Sequence, residues 1–165
     1  MLRLILTRHG KSSWDDPDLD DFHRPLAPRG LRNVPEMGRR LARRGTPPDL
    51  IVTSTAVRAL STARALAREL DYAERRIEPV DALYLASPLE ILEIVRALPR
   101  DAKTVLVVGH NPGMTEFANL VDRVRLDNMP TTGMLCVEFD VDEWQSVEPA
   151  RGRFAWFDYP KKQPD

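Results

Sequence analysis

The chain has a single cysteine, Cys136, in 165 residues, so it cannot close an internal disulfide and has no C-x-x-C pair for a metal or a redox exchange. Histidine is nearly as scarce: there are three, none in an H-E-x-x-H pattern, so no cluster has metal-ligand spacing. A Gly-rich Walker pattern is missing as well. Long hydrophobic runs are also lacking. The stretch Leu2 to Thr7 is interrupted by Arg3 and is too short for the apolar core of a signal peptide, and no other run approaches membrane-spanning length. Neither sign of charge dominates, with Lys+Arg 24 against Asp+Glu 25 and a net charge of −1, so no whole-chain field points to nucleic acid or to a membrane. These absences predict a cytoplasmic protein without metal or cofactor, in which Cys136 is inert core.

A hydrophobic content of 42% over this length suits one domain, expected over residues 1–160, with 161–165 as a frayed tail. Internal repeats and low-complexity tracts are absent, and prolines mark loops. After a short apolar run at Leu4 to Thr7, a loop rich in aspartate and proline spans Ser12 to Pro28. Helical spacing of Leu31, Val34, Met37 and Leu41 predicts a helix from about Arg29 to Arg44, stopped by Gly45. A strand at Asp49 to Thr53 leads into a helix from Ser54, read as its N-cap, to Leu70, with Leu60, Ala63, Leu66, Ala67 and Leu70 inward. Ile77 to Val80 reads as a short strand. Ser87-Pro88-Leu89-Glu90 combines an N-cap serine, a proline at the first helical position and a glutamate at the third, predicting a helix to about Leu98. Thr104 to Val108 is a strand, Pro112 to Val121 a helix, and Met134 to Phe139 with Phe154 to Tyr159 two antiparallel strands. Strands alternating with helices imply an α/β three-layer sandwich around a mostly parallel sheet.

Chemistry concentrates where buried-looking strands end. Leu4-Ile5-Leu6-Thr7 runs into Arg8-His9-Gly10-Lys11, and Val105-Leu106-Val107-Val108 into Gly109-His110-Asn111-Pro112-Gly113. In open α/β sheets ligands collect at the carboxyl ends of strands, so Arg8, His9 and His110 share one expected rim. A third junction, Ile51 to Ala63, carries Arg58 in the first turns of a helix, where amide dipoles favour anions. A solvated helix arginine is the plainer reading of Arg58. Gly10, Gly109 and Gly113 either let the backbone approach an anion or simply make turns.

With these residues the chain resembles the histidine phosphatase superfamily, the phosphoglycerate-mutase-like enzymes. The segments RHGKSSW, D-x-x-RPL-x-x-RG, S-x-x-x-RA-x-x-TA and VGHNPG are most similar to those of SixA-type phosphohistidine phosphatases, from the first strand to about Thr132. The resemblance implies a phosphoglycerate-mutase-like fold and a phosphatase in which His9 attacks phosphorus and becomes a phosphohistidine. It also implies that His110 stabilises the charge on the phosphoryl oxygens. Arg8 and Arg58 suit a phosphoryl clamp, because a planar guanidinium donates paired hydrogen bonds and stays charged. Lys11 is a candidate for added positive potential.

The general acid is less evident. Many members of the superfamily carry a glutamate just after the strand that corresponds to Val80, whereas this chain reads Asp81-Ala82-Leu83-Tyr84-Leu85-Ala86-Ser87. SixA-type enzymes share that absence, and imidazole leaves more easily than an alkoxide, which favours an N–P substrate. Asp21 is the candidate substitute acid, or else a carboxylate paired with Arg24 to order its loop. His23 is either a donor near neutral pH or merely exposed. The expected activity is metal-independent hydrolysis of phosphohistidine on a signalling protein, a partner that an open cleft with few insertions would suit. The alternatives are a small-molecule phosphomonoesterase with the same core and a phosphate-binding module without turnover.

Overall fold

The computed structural model describes residues 1–123 and 125–162. Ten elements build the fold: β1 (Leu2–Arg8), α1 (Pro28–Arg43), β2 (Leu50–Thr53), α2 (Val57–Glu69), β3 (Glu78–Pro79), α3 (Pro88–Arg96), β4 (Thr104–Gly109), α4 (Gly113–Asp122), β5 (Met134–Phe139) and β6 (Arg153–Asp158). The strands form one sheet in the order β3-β2-β4-β1-β5-β6, parallel from β3 to β1, with β5 antiparallel to both its neighbours.

Alternation along the strands creates two cores. Leu4 and Leu6 of β1, Val105 and Val107 of β4, and Leu135 and Val137 of β5 face one side, which α3 and α4 cover with Ile91, Val95, Phe117 and Val121. Ile5, Leu106, Val108 and Cys136 face the other, covered by Val34, Met37 and Leu41 of α1 and Ala63 and Leu66 of α2. Helices on both faces of a mostly parallel sheet are the sandwich expected from the alternation of elements. Every residue of β4 is buried, as a parallel strand covered on both faces requires. Burial pushes the Cys136 thiol up to about 12, far from any reactive range.

The chain leaves β1 toward the α1 face and leaves β4 toward the α4 face, although β1 and β4 are neighbours paired as far as Arg8 and Gly109. Connections diverging from adjacent parallel strands open a crevice at their carboxyl ends.

Several local expectations change. Leu31 points to solvent, 61% exposed, because the buried stripe of α1 is Gly30, Val34, Met37, Gly38 and Leu41. Gly30 takes the inner position since only a residue without Cβ fits against the Lys11 carbonyl. Helix α2 starts at Val57 with Ala56 as its N-cap, so Ser54 is not a cap. The inner face of α2 includes Ala59 and Thr62, while Leu60 and Leu70 are half-buried. Helix α3 carries both halves of the capping box between Ser87 and Glu90. Lys162 donates from its backbone N to Tyr159 O at 3.0 Å and from Nζ to Phe157 O at 2.7 Å, so the described chain is held as far as that residue. The rest of the expected frayed tail, 163–165, lies outside the described residues. No described helix is long and apolar enough to cross a membrane.

Candidate active site

The ends of β1, β2 and β4 and the start of α2 bring His9, Arg8, Arg58 and His110 around one cavity of about 270 Å³, which Asp21, Arg24, Lys11, Trp14 and Leu85 also line. His9 is 7% exposed, and its backbone is fixed on both sides. Its N–H donates to Gly109 O at 3.1 Å, and its carbonyl accepts from Thr132 N at 3.1 Å. Nδ1 of the ring lies 2.7 Å from Gly10 O. A carbonyl only accepts, so Nδ1 carries the proton and Nε2 keeps its lone pair. Nε2 faces Arg58 Nε at 3.4 Å. Burial, with added repulsion from Arg58, Arg8 and Arg24, outweighs the Gly10 contact and lowers the His9 pKa to about 4. The ring is therefore neutral at pH 7.

His110 is 3% exposed, its ring 5.1 Å from that of His9. Burial first, then the neighbouring His9 and Arg58, lower its pKa to about 3. Its Nε2 meets Ser54 Oγ at 2.7 Å, while the same Oγ accepts from Ala56 N at 3.2 Å. Ser54 is fully buried, and those are its hydroxyl's contacts, so the hydroxyl proton has His110 Nε2 as its acceptor. That places the imidazole proton of His110 on Nδ1, a buried atom without a protein partner.

Arg58 is 4% exposed, second in α2. Its Nη1 donates to Asp21 O at 2.6 Å and its Nη2 to Asp21 Oδ2 at 2.9 Å, which turns its Nε edge toward His9. Arg8 is anchored through Nη1 to Met129 O at 2.9 Å, and its Nε is buried without a partner. Two residues that line the cavity thus each keep a buried donor without a protein partner, Arg8 Nε and His110 Nδ1, a resource for an oxyanion site.

Asp21 accepts from Arg58, from Tyr84 Oη at 2.6 Å and from Arg24 Nη1 at 3.1 Å. Burial works to raise its pKa, but the Tyr84 and Arg58 hydrogen bonds outweigh it and hold the carboxyl below its ordinary value. A carboxylate with three donors is committed as an acceptor, which conflicts with a resident proton for general-acid work. Its contact with Arg24 matches the loop-ordering alternative and extends to Arg58. His23 is exposed and bonded to Asp20 at 2.6 Å, away from the cavity. Packing accounts for the glycines: a Cβ on Gly10 would meet Val34 at 2.7 Å, one on Gly109 Met114 at 2.8 Å, and one on Gly113 the Ala86 carbonyl.

Three contributors are not read as functional in the sequence. Ser54 and Thr62 sit in the S-x-x-x-RA-x-x-TA segment. Thr62 Oγ1 accepts from Gly10 N at 2.9 Å and donates to Arg58 O at 2.7 Å, tying the two junctions together. Tyr84 lies in the stretch after Val80, in the loop before α3. Among the described residues no group of histidine, cysteine or carboxylate side chains is arranged to hold a metal ion.

The family model for the histidine phosphatase superfamily (branch 1) matches residues 4–83, and its range contains Arg8, His9 and Arg58. An uncharacterised Mycobacterium tuberculosis protein is 30% identical over 93% of this chain and 99% of its own. The chain belongs to the histidine phosphatase superfamily. It is a phosphatase, and its structural neighbours include SixA-type proteins. The protein assigned as phosphohistidine phosphatase SixA in Agrobacterium tumefaciens superposes with a TM-score of 0.81 at 28% identity, covering 96% of this chain and 98% of that one. The corresponding assignment from Nakamurella multipartitia gives 0.83 at 27%, covering 98% and 97%.

Proposed function

We propose that this phosphatase hydrolyses phosphohistidine on a signalling protein, such as a phosphotransfer domain, through a covalent intermediate on His9 and without a metal ion. The observation that supports it most is the Nδ1 contact of His9 with Gly10 O, which leaves a neutral ring with its Nε2 lone pair inside a cationic cavity. In the first step that lone pair attacks phosphorus, and the bond from phosphorus to the substrate nitrogen breaks, its electron pair passing to that nitrogen. In the second, water attacks the phosphoryl group, Nε2 recovers its pair, and inorganic phosphate leaves. Arg8 and Arg58 hold the phosphoryl oxygens, and His110 donates through Nδ1 to charge that spreads in the transition state.

Leaving-group chemistry supports the substrate. Asp21 accepts three hydrogen bonds and has a lowered pKa, so it keeps no proton for a departing alkoxide. A phosphohistidine protonated on its other ring nitrogen departs as neutral imidazole and needs none. The exposed Trp14 and Leu85 at the mouth leave the cleft accessible to a side chain on another protein. The test compares kcat/KM for a phosphohistidine protein, an aryl phosphate and a sugar phosphate. The expected order is descending, with the first exceeding the last by at least about 100-fold, or about 2.7 kcal/mol. Equal rates on the sugar phosphate would assign the site to a phosphomonoesterase. Phosphate binding with no turnover on any of the three would make it a binding module.

A further inference from the structure

We propose that Tyr84 is a positioning residue for the phosphoryl clamp: its hydroxyl locks the Asp21 carboxylate against Arg58, so that the short helical turn Asp21–His23 becomes a wall of the phosphoryl site. The inference rests on reading Arg58 as part of the clamp. Tyr84 Oη lies 2.6 Å from Asp21 Oδ2, the same oxygen that receives Arg58 Nη2 at 2.9 Å. Asp21 is ionised and has nothing to donate, so the phenol is the donor. The carboxylate is thereby stretched between Tyr84 and Arg58 on one oxygen and Arg24 on the other, and both terminal nitrogens of Arg58 are fixed to one residue. A guanidinium held at its far end presents its Nε edge, and that edge faces the His9 Nε2 lone pair at 3.4 Å. Without the Tyr84 bond, Oδ2 keeps Arg58 alone, and the half-buried carboxylate is held in place only by the two arginines.

Tyr84 is itself well placed for this. Its ring meets His110 edge-on with centroids 5.4 Å apart, and Phe22 edge-on at 5.1 Å, so it bridges the two sides of the cavity. The next residue, Leu85, adopts φ 51, a left-handed backbone that leucine rarely takes, and this turn sends Leu85 to the surface while Tyr84 points inward. Behind the loop, Ala86 O packs against Gly113 at the start of α4, where any side chain would collide. The loop bearing Tyr84 is thus braced on the helix that follows His110. Burial, with the Asp21 contact, raises the phenol pKa, consistent with a donor that keeps its proton.

The groups facing Asp21 are Arg58 from α2, Arg24 after its own turn, Asp20 before it, Tyr84 from the loop before α3 and His110 across the cavity. Of these, Tyr84→Phe removes one donor and no charge. Steady-state kinetics on phosphoramidate and an aryl phosphate should show KM, and the inhibition constant of inorganic phosphate, rising about five- to tenfold while kcat changes less than about threefold. In combination with Asp21→Asn, Tyr84→Phe should add nothing further. Tyr84→Leu, which also removes the ring, should lose at least as much. A Tyr84→Phe enzyme with wild-type KM, or losses that add with those of Asp21→Asn, would overturn the inference. Wild type that forms no phosphoryl-His9 would instead remove the functional reading beneath it.

Discussion

The two ends of the sheet each carry a hollow, and the larger one is not where the proposed chemistry sits. At the amino ends, Pro48, Asp49, Leu50, Arg76, Pro99, Asp101 and Ala102 line about 390 Å³, against about 270 Å³ at the carboxyl ends. In the first hollow Asp49 and Arg76 bond backbone atoms. Asp49 Oδ2 accepts from Lys103 N at 2.8 Å and Thr104 N at 2.9 Å, and Arg76 donates to Asp49 O at 3.3 Å, all near the surface. In the second, Arg8 Nε and His110 Nδ1 are buried and uncommitted, and His9 keeps a lone pair against a guanidinium. Volume does not separate the two, whereas buried donors awaiting a partner do.

Substitutions at the two ends should separate them sharply. The largest effect belongs to His9→Ala, expected to lower kcat/KM at least ~10⁴-fold with an unchanged circular dichroism spectrum, since the residue stands at a strand end. Substantial turnover by that variant would dissolve the contrast. Next come Arg8→Lys and Arg58→Lys, each expected to lose about 100- to 1,000-fold although charge is kept, because a point-like ammonium cannot reproduce the fork. At the other end, Asp49→Ala should leave kcat/KM within about twofold while lowering stability in urea by about 1 kcal/mol, from the two backbone donors it leaves to water. A large loss of activity there would mean the two hollows communicate.

The same contrast sets the pH dependence of stability. His9 and His110 have pKa values lowered to about 4 and about 3, below the ordinary 6.5. Their neutral forms favour folding fully above pH 6.5, and that contribution is lost as pH falls from 6.5 through about 4 and then 3. A His9→Gln/His110→Gln variant should therefore lose less stability than wild type between pH 6.5 and 4 in urea titrations. An equal loss would place the acid sensitivity in the carboxylates instead.

The sequence made the rim legible because its signals are local. An apolar run followed by Arg-His-Gly or Gly-His marks a strand end in a few residues, and Ser87 with Glu90 marks a helix start in four. What escaped depends on residues far apart in the chain. Ser54 has the composition of an N-cap, but its hydroxyl bonds His110, 56 positions away. Tyr84 meets Asp21 across 63 positions, and nothing near either residue announces the other. Asp21 is the instructive case: an aspartate in the right segment reads as a spare acid until Arg24, Arg58 and Tyr84 are seen to surround it.

The central claim, that His9 is the nucleophile, is tested most directly by trapping. Wild type mixed with labelled phosphoramidate and quenched during turnover should carry a base-stable, acid-labile phosphoryl group, mapped by peptide mass spectrometry to His9 and absent from His9→Ala. Turnover with no label, or a label mapped to any other residue, would contradict the account.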